Sequence, residues 1–156
     1  IDGSTFSHNT AGDWGGAIKT AAILHVVNSE FDENAADSNG GAISANSGDA
    51  AIVTGSRFVA NLASSGGGAV YANALHMVGS TFSRNVAPAG GGVLAYVVDV
   101  AASTFSGNIA TAGSGGALWK EETIRLNRAA ASASGSGASG SGYVAASNAS
   151  LRVTTR

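Results

Sequence analysis

The chain has no cysteine, so disulfides and thiolate chemistry are excluded and the redox compartment is left open. Charge is scarce: 12% of its 156 residues are charged and the net charge is −2. No basic stripe follows from so few cations, which argues against nucleic acid as a partner. No apolar run is long enough to span a membrane. Nor does any stretch carry an apolar face at i, i+3, i+4 and i+7 over about ten residues, so helices are not expected. What remains is rich in Ser, Thr, Ala, Asn and Gly, the surface texture of secreted or cell-surface repeats. Its length suits one domain.

Against this plain background one phrase recurs five times: Phe, two free residues, Asn, one free residue, Ala, and then Gly-Gly-small-aliphatic. The first half begins at Phe6, Phe31, Phe58, Phe82 and Phe105, with Asn9, Asn34, Asn61, Asn85 and Asn108 three residues on. The second half reads Gly15-Gly16-Ala17-Ile18, Gly40-Gly41-Ala42-Ile43, Gly67-Gly68-Ala69-Val70, Gly91-Gly92-Val93-Leu94 and Gly115-Gly116-Ala117-Leu118. The Phe-to-Phe spacings are 25, 27, 24 and 23 residues, a period that means a solenoid.

Between the phrases the chain alternates, as in Leu24-His25-Val26-Val27 and Leu75-His76-Met77-Val78. Alternation puts residues two apart on one face of a half-buried strand. Each repeat is therefore one turn of short strands, and successive turns stack in parallel. The expected fold is all-β: a right-handed parallel β-helix of about six coils of 23–27 residues. Left-handed β-helices would show a six-residue rhythm, and leucine-rich repeats would need more leucine. Five regular coils are expected over residues 1–126.

Stacking gives each recurring residue a task. The Phe column and the column Ile18, Ile43, Val70, Leu94, Leu118 are expected to fill the interior. The Asn column is expected to form an amide ladder, each side chain donating to one neighbour and accepting from the other. Ser4, Ser29, Ser56, Ser80 and Ser103, two residues before each Phe, form a second small polar column. Glycine pairs allow a tight corner. The stretch between one Gly pair and the next Phe varies in length, so Ser44–Ala50 is expected to protrude as a loop.

Residues 129–142 are only Ala, Ser and Gly. Two readings stand for 127–156: a degenerate sixth coil, with Ala131 in place of Phe and Ser134 in place of Asn, or a flexible linker followed by a terminal strand. The chain opens at Ile1 and stops at Arg156 at nearly the same phase of the repeat, which points to a piece of a longer protein or an array stacking end to end.

Phe-x-x-Asn together with Gly-Gly-Ala-Ile resembles the repeats of the chlamydial polymorphic outer membrane proteins over roughly residues 1–126. The resemblance implies a surface-exposed autotransporter passenger and a role in adhesion to cells. It carries over onto the five Phe, the five Asn and the glycine pairs. No β-barrel translocator is present in this sequence, so the resemblance implies no membrane anchoring for it. A Phe stacked inside a coil cannot also touch a receptor, so these residues are read as scaffold, and loss of adhesion on mutating them would follow from unfolding a turn.

Surface contact has to come from residues the ladders do not need. Trp14, Tyr71, Tyr96, Trp119 and Tyr143 are such aromatics, suited to a protein or glycan contact or to covering the edges of the solenoid. The fourth position after each first Gly gives Lys19, Ser44, Tyr71, Ala95 and Trp119. Asn148-Ala149-Ser150 is a single glycosylation sequon. Right-handed β-helices also host polysaccharide lyases and hydrolases, which need clustered carboxylates. Here the acids are scattered. Glu30 and Arg57 share a repeat position and are expected to pair, Asp13 and Asp37 lie in the loop before the Gly pair, placed to approach each other with calcium as the ion they would take, and Ile52 separates His25 from His76. No catalytic residue, metal or cofactor is expected. The reading is an extracellular or cell-surface repeat segment that presents an elongated adhesive or structural surface. The alternatives are a subunit of an extracellular filament, with neighbouring copies as partners, and a carbohydrate-active β-helix.

Overall fold

A computed structural model describes residues 1–126, 130–133, 143–144 and 149–152, with side chains described for 1–46, 51–112 and 115–119. The chain is all-β, a parallel solenoid built from three sheets. The first collects the Phe-centred strands Thr5–Ser7, Glu30–Asp32, Arg57–Val59, Thr81–Ser83 and Thr104–Ser106. The second collects the strands that follow each Asn, from Thr10–Ala11 to Ile109–Ser114. The third is longer, with Ile43–Thr54, Val70–Val78, Val93–Ala101 and Leu118–Leu126 at its centre.

Three corners per turn separate the sheets, and each holds a residue at positive φ. One corner has Gly3, Asn28, Gly55, Gly79 and Ala102, with φ between 47° and 60°. The next has His8, Glu33, Ala60, Arg84 and Gly107, the second free position of Phe-x-x-Asn, with φ between 52° and 61°. The third is the first glycine of each pair, such as Gly40 at 70°. A Cβ on Gly40 would lie 2.1 Å from the Ile43 carbonyl oxygen, so this corner requires glycine. Its neighbour Gly41 is required by close approach instead, because a Cβ there would lie 2.1 Å from Gly68 O and 2.5 Å from Leu62 O.

The interior is made of like residues in register. Phe6 pairs with Phe31, Phe31 with Phe58, Phe58 with Phe82 and Phe82 with Phe105. Their rings stack at 4.9, 4.8, 4.6 and 5.0 Å, within 11° of parallel. The spacing is that of the strands themselves, so backbone pairing and ring stacking satisfy one geometry. Facing the rings across the coil lie Ile43, Val70, Val93, Met77, Val98 and Leu118 in one buried cluster.

Polar ladders run along two corners. In the first four ranks the Asn Nδ2 donates to the Oδ1 of the next rank at 2.8 to 3.0 Å. From the second rank on it also donates to the Phe carbonyl of the rank before, as Asn61 does to Phe31 at 3.0 Å. From Asn34 on, each Oδ1 also accepts the backbone N–H of the preceding Asn. The Ser hydroxyls form the second ladder: each accepts the backbone N–H of the previous Ser and donates to the carbonyl two residues back, bracing the first positive-φ corner.

Three sequence expectations change. Five ranks of Phe enclose about four turns rather than six, because a turn is the interval between ranks and these five define four such intervals. In the fourth rank the corner glycine is Gly90, at φ 57°, and Val93 pairs with Val70 and Leu118. The interior column is thus Ile18, Ile43, Val70, Val93, Leu118, and Leu94 moves to the outward position assigned above to Ala95. Three consecutive glycines leave the phase open in the sequence. Finally, Ser44–Ala50 is no protruding loop: Ile43–Thr54 is one strand, and residues 46–49 stand opposite the single Asn73 as a bulge between the paired Ala45 and Ala50.

The expected sixth coil falls largely outside the described residues. Those that are described there pair antiparallel, Ala130–Ala133 with Ala149–Arg152 and Tyr143–Val144 with Leu118–Trp119.

Candidate functional site

The outward column of the long sheet runs Lys19, Ser44, Tyr71, Leu94, Trp119, one residue per rank. Each follows the inward aliphatic by one residue, so strand alternation turns it outward. Trp14, immediately before the Gly15 corner of the first rank, leans across this column. Its ring meets Tyr71 edge to face, with centroids 5.6 Å apart and planes at 72°. The Lys19 ammonium lies 5.5 Å from the Trp14 ring centroid and donates to Asp13 Oδ2 at 2.7 Å.

Two outward members of the column are nonetheless buried, Ser44 at 0% and Leu94 at 7% exposure. The half-buried Trp14, Tyr71 and Trp119 beside them form the roof. Leu94 lies on the Gly66 corner, where an added Cβ would come 2.4 Å from Leu94 Cδ1. The Ser44 hydroxyl is fully buried without a hydrogen-bond partner among the described residues. The result is a ridge spanning five ranks, with Trp14 and Trp119 at its two ends, Tyr71 and Leu94 between them, and Lys19 and Asp13 beside Trp14.

The structure therefore brings Trp14 and Tyr71 together and sets Trp119 two ranks further along the same column. Tyr96 lies one residue beyond the paired Ala95, off this column. The Tyr143 backbone pairs with Trp119, and its side chain lies outside those described, as does Asn148. Leu94 and Ser44 complete the ridge. Leu94 was hidden by the glycine run, and no sequence signal marks the burial of Ser44.

Elsewhere the charged groups pair locally along the ranks. Arg57 pairs with Glu30, His8 Nε2 lies 3.1 Å from Glu33, and His76 Nδ1 lies 3.5 Å from Asp99. Ile52 separates His25 from His76 in their column. Among the described residues no group of three or more His, Asp or Glu could hold a metal ion, and no helix is long and apolar enough to cross a membrane.

Fold and site together define a parallel β-solenoid with an all-structural interior and an ornamented exterior. The family model of the Chlamydia polymorphic membrane protein repeat matches residues 3–21, 28–46 and 102–120. The copies around Phe58 and Phe82 fall outside those spans yet continue the same three sheets in register. Comparison with curated proteins and with solved structures gives no match.

Proposed function

We propose that this chain is a length of cell-surface β-solenoid, and that its Trp14–Tyr71–Leu94–Trp119 ridge makes an adhesive contact with a protein or glycan outside the cell. The observation that carries the reading is the division of labour among the aromatics. All five Phe are consumed by the interior stack, while Trp14, Tyr71 and Trp119 keep part of their surface in solvent along one outward line. Large amphipathic rings held rigid by packing are what contact surfaces use. A membrane-protein repeat supports the surface location. The reading is non-catalytic. It is supported by the acids: Asp13, Glu30, Glu33 and Asp99 sit on different columns, each against its own basic partner.

Binding to cultured cells and to a glycan array, measured for wild type and for Tyr71→Ala, Trp119→Ala and the double variant, tests the proposal. Binding should fall about tenfold or more in the double variant, with the circular dichroism spectrum unchanged. Unaltered binding would make the ridge a cover for the Gly66 corner and nothing more.

A further inference from the structure

The second sheet has an outward face unlike the other two. Its column is Thr10, Ala35, Leu62, Val86, Ile109, and Leu62 and Ile109 are 48% and 40% exposed. The Phe-centred sheet carries Thr5, Glu30, Arg57, Thr81 and Thr104 at its outward position. On the second sheet, by contrast, an aliphatic stripe lies in water at strand spacing over three consecutive ranks. It is bordered on one side by the corner residues His8, Glu33, Ala60, Arg84 and Gly107, and on the other by Gly12, Asp37, Ser64, Pro88 and Thr111. Ala60 sets Glu33 and Arg84 two ranks apart, roughly 9.6 Å. Among the described residues Arg84 has no acidic partner.

We infer that this face docks against the same face of a second copy, with the two solenoids antiparallel about a two-fold axis through Leu62. The charges choose this arrangement. A two-fold axis lying along the strand direction at Leu62 leaves the corner opposite the partner's corner and reverses the order of ranks. Glu33 then faces Arg84 of the other copy, twice, and Leu62 meets its own copy. Val86 covers Ala35, and Ile109 covers the methyl of Thr10. An axis along the solenoid keeps the ranks level and sets Glu33 against Asp37, like charge on like charge. An isologous contact is self-complementary in this way by necessity. Opposite charge at the rim selects the register, and the aliphatic stripe supplies the buried surface.

Absence of cysteine makes the test clean. A single Leu62→Cys should oxidise to a disulfide dimer, because the axis sets that residue beside itself. Ile23→Cys, at a site more exposed than Leu62 and away from this face, should stay monomeric under the same oxidation. In sedimentation equilibrium, Glu33→Arg and Arg84→Glu should each weaken the dimer by about tenfold, and the double variant should return to within about twofold of wild type. That rescue separates a contact between copies from the loss of the His8–Glu33 contact within one chain. The ridge variant Tyr71→Ala should leave the dimer intact, so failure here and failure of the adhesive reading are distinct. A chain monomeric at every concentration reached, equal crosslinking through Ile23→Cys, disulfide formation between Glu33→Cys and Asp37→Cys chains, or a double variant no better than the singles each overturns the proposal.

Discussion

Asn61 Nδ2 donates to Asn85 Oδ1 at 2.9 Å, and the same nitrogen donates to the Phe31 carbonyl at 3.0 Å. Asn61 Oδ1 in turn accepts both the side chain and the backbone N–H of Asn34. One carboxamide thus uses both donors and both acceptor positions in a site with no exposure. Asn61→Ala would strand partners above and below, and thermal unfolding should show a loss of about 3 kcal/mol, the upper range for buried groups left unpaired.

Asn61→Asp adds a sign to that loss. The position offers two acceptors, Phe31 O and Asn85 Oδ1, to the atom that now stands where Nδ2 stood. A carboxylate there is repelled and desolvated, so its folded pKa rises above the unfolded value of about 3.9. The variant is then least destabilised below the unfolded pKa and loses stability as pH rises through the folded one. Denaturant titrations at acid and neutral pH should show the gap to wild type widening toward neutrality. A gap that narrows instead would refute the donor assignment.

Phe58 has no exposed surface and parallel rings at 4.8 and 4.6 Å on its two faces. Phe58→Ala should therefore remove about 3–5 kcal/mol. Phe6, half-buried and with one stacking partner, should lose clearly less on the same change. Equal losses would mean that the stack contributes nothing beyond local packing.

The corner after Phe has Ala60 at φ 53°, where the fifth rank has Gly107 at 61°. Relief of left-handed strain should make Ala60→Gly stabilising by about 0.5–1 kcal/mol, and Gly107→Ala should destabilise by a similar amount. Gly41→Ala has no such strain to blame. Its Cβ would enter the Gly68 and Leu62 carbonyls, so a loss of about 3 kcal/mol or failure to fold is expected. Melting temperatures of the three variants check both arguments.

Ser44 buries a hydroxyl that has no hydrogen-bond partner among the described residues, beneath Trp14 and Tyr71. Ser44→Ala should raise stability by about 1 kcal/mol. A destabilised Ser44→Ala would show that the hydroxyl has a partner after all.

The interior could be read directly, because it repeats. Phe, Asn and Ser recur at one phase, and only a stack gives every copy the same neighbour. Where repetition itself was ambiguous, in Gly90-Gly91-Gly92, the phase slipped by one, and an interior place was given to Leu94 instead of Val93. Extra residues after Ala45 suggested a loop for the same reason: length alone does not distinguish a loop from a bulge that keeps its hydrogen bonds.

What the amino-acid order determined by itself was the period, the solenoid and the residues that face inward, since identical side chains at fixed spacing have one common environment. What only the folded chain decided was the exterior. Outward positions differ from rank to rank, so contact there depends on which side chain is long enough to cross a small neighbour. Trp14 reaches Tyr71 over the rank of Ser44, and Glu33 stays apart from Arg84 because Ala60 lies between them. No spacing in the sequence encodes the reach of Trp14, whereas the separation of Glu33 from Arg84 follows from their shared repeat position.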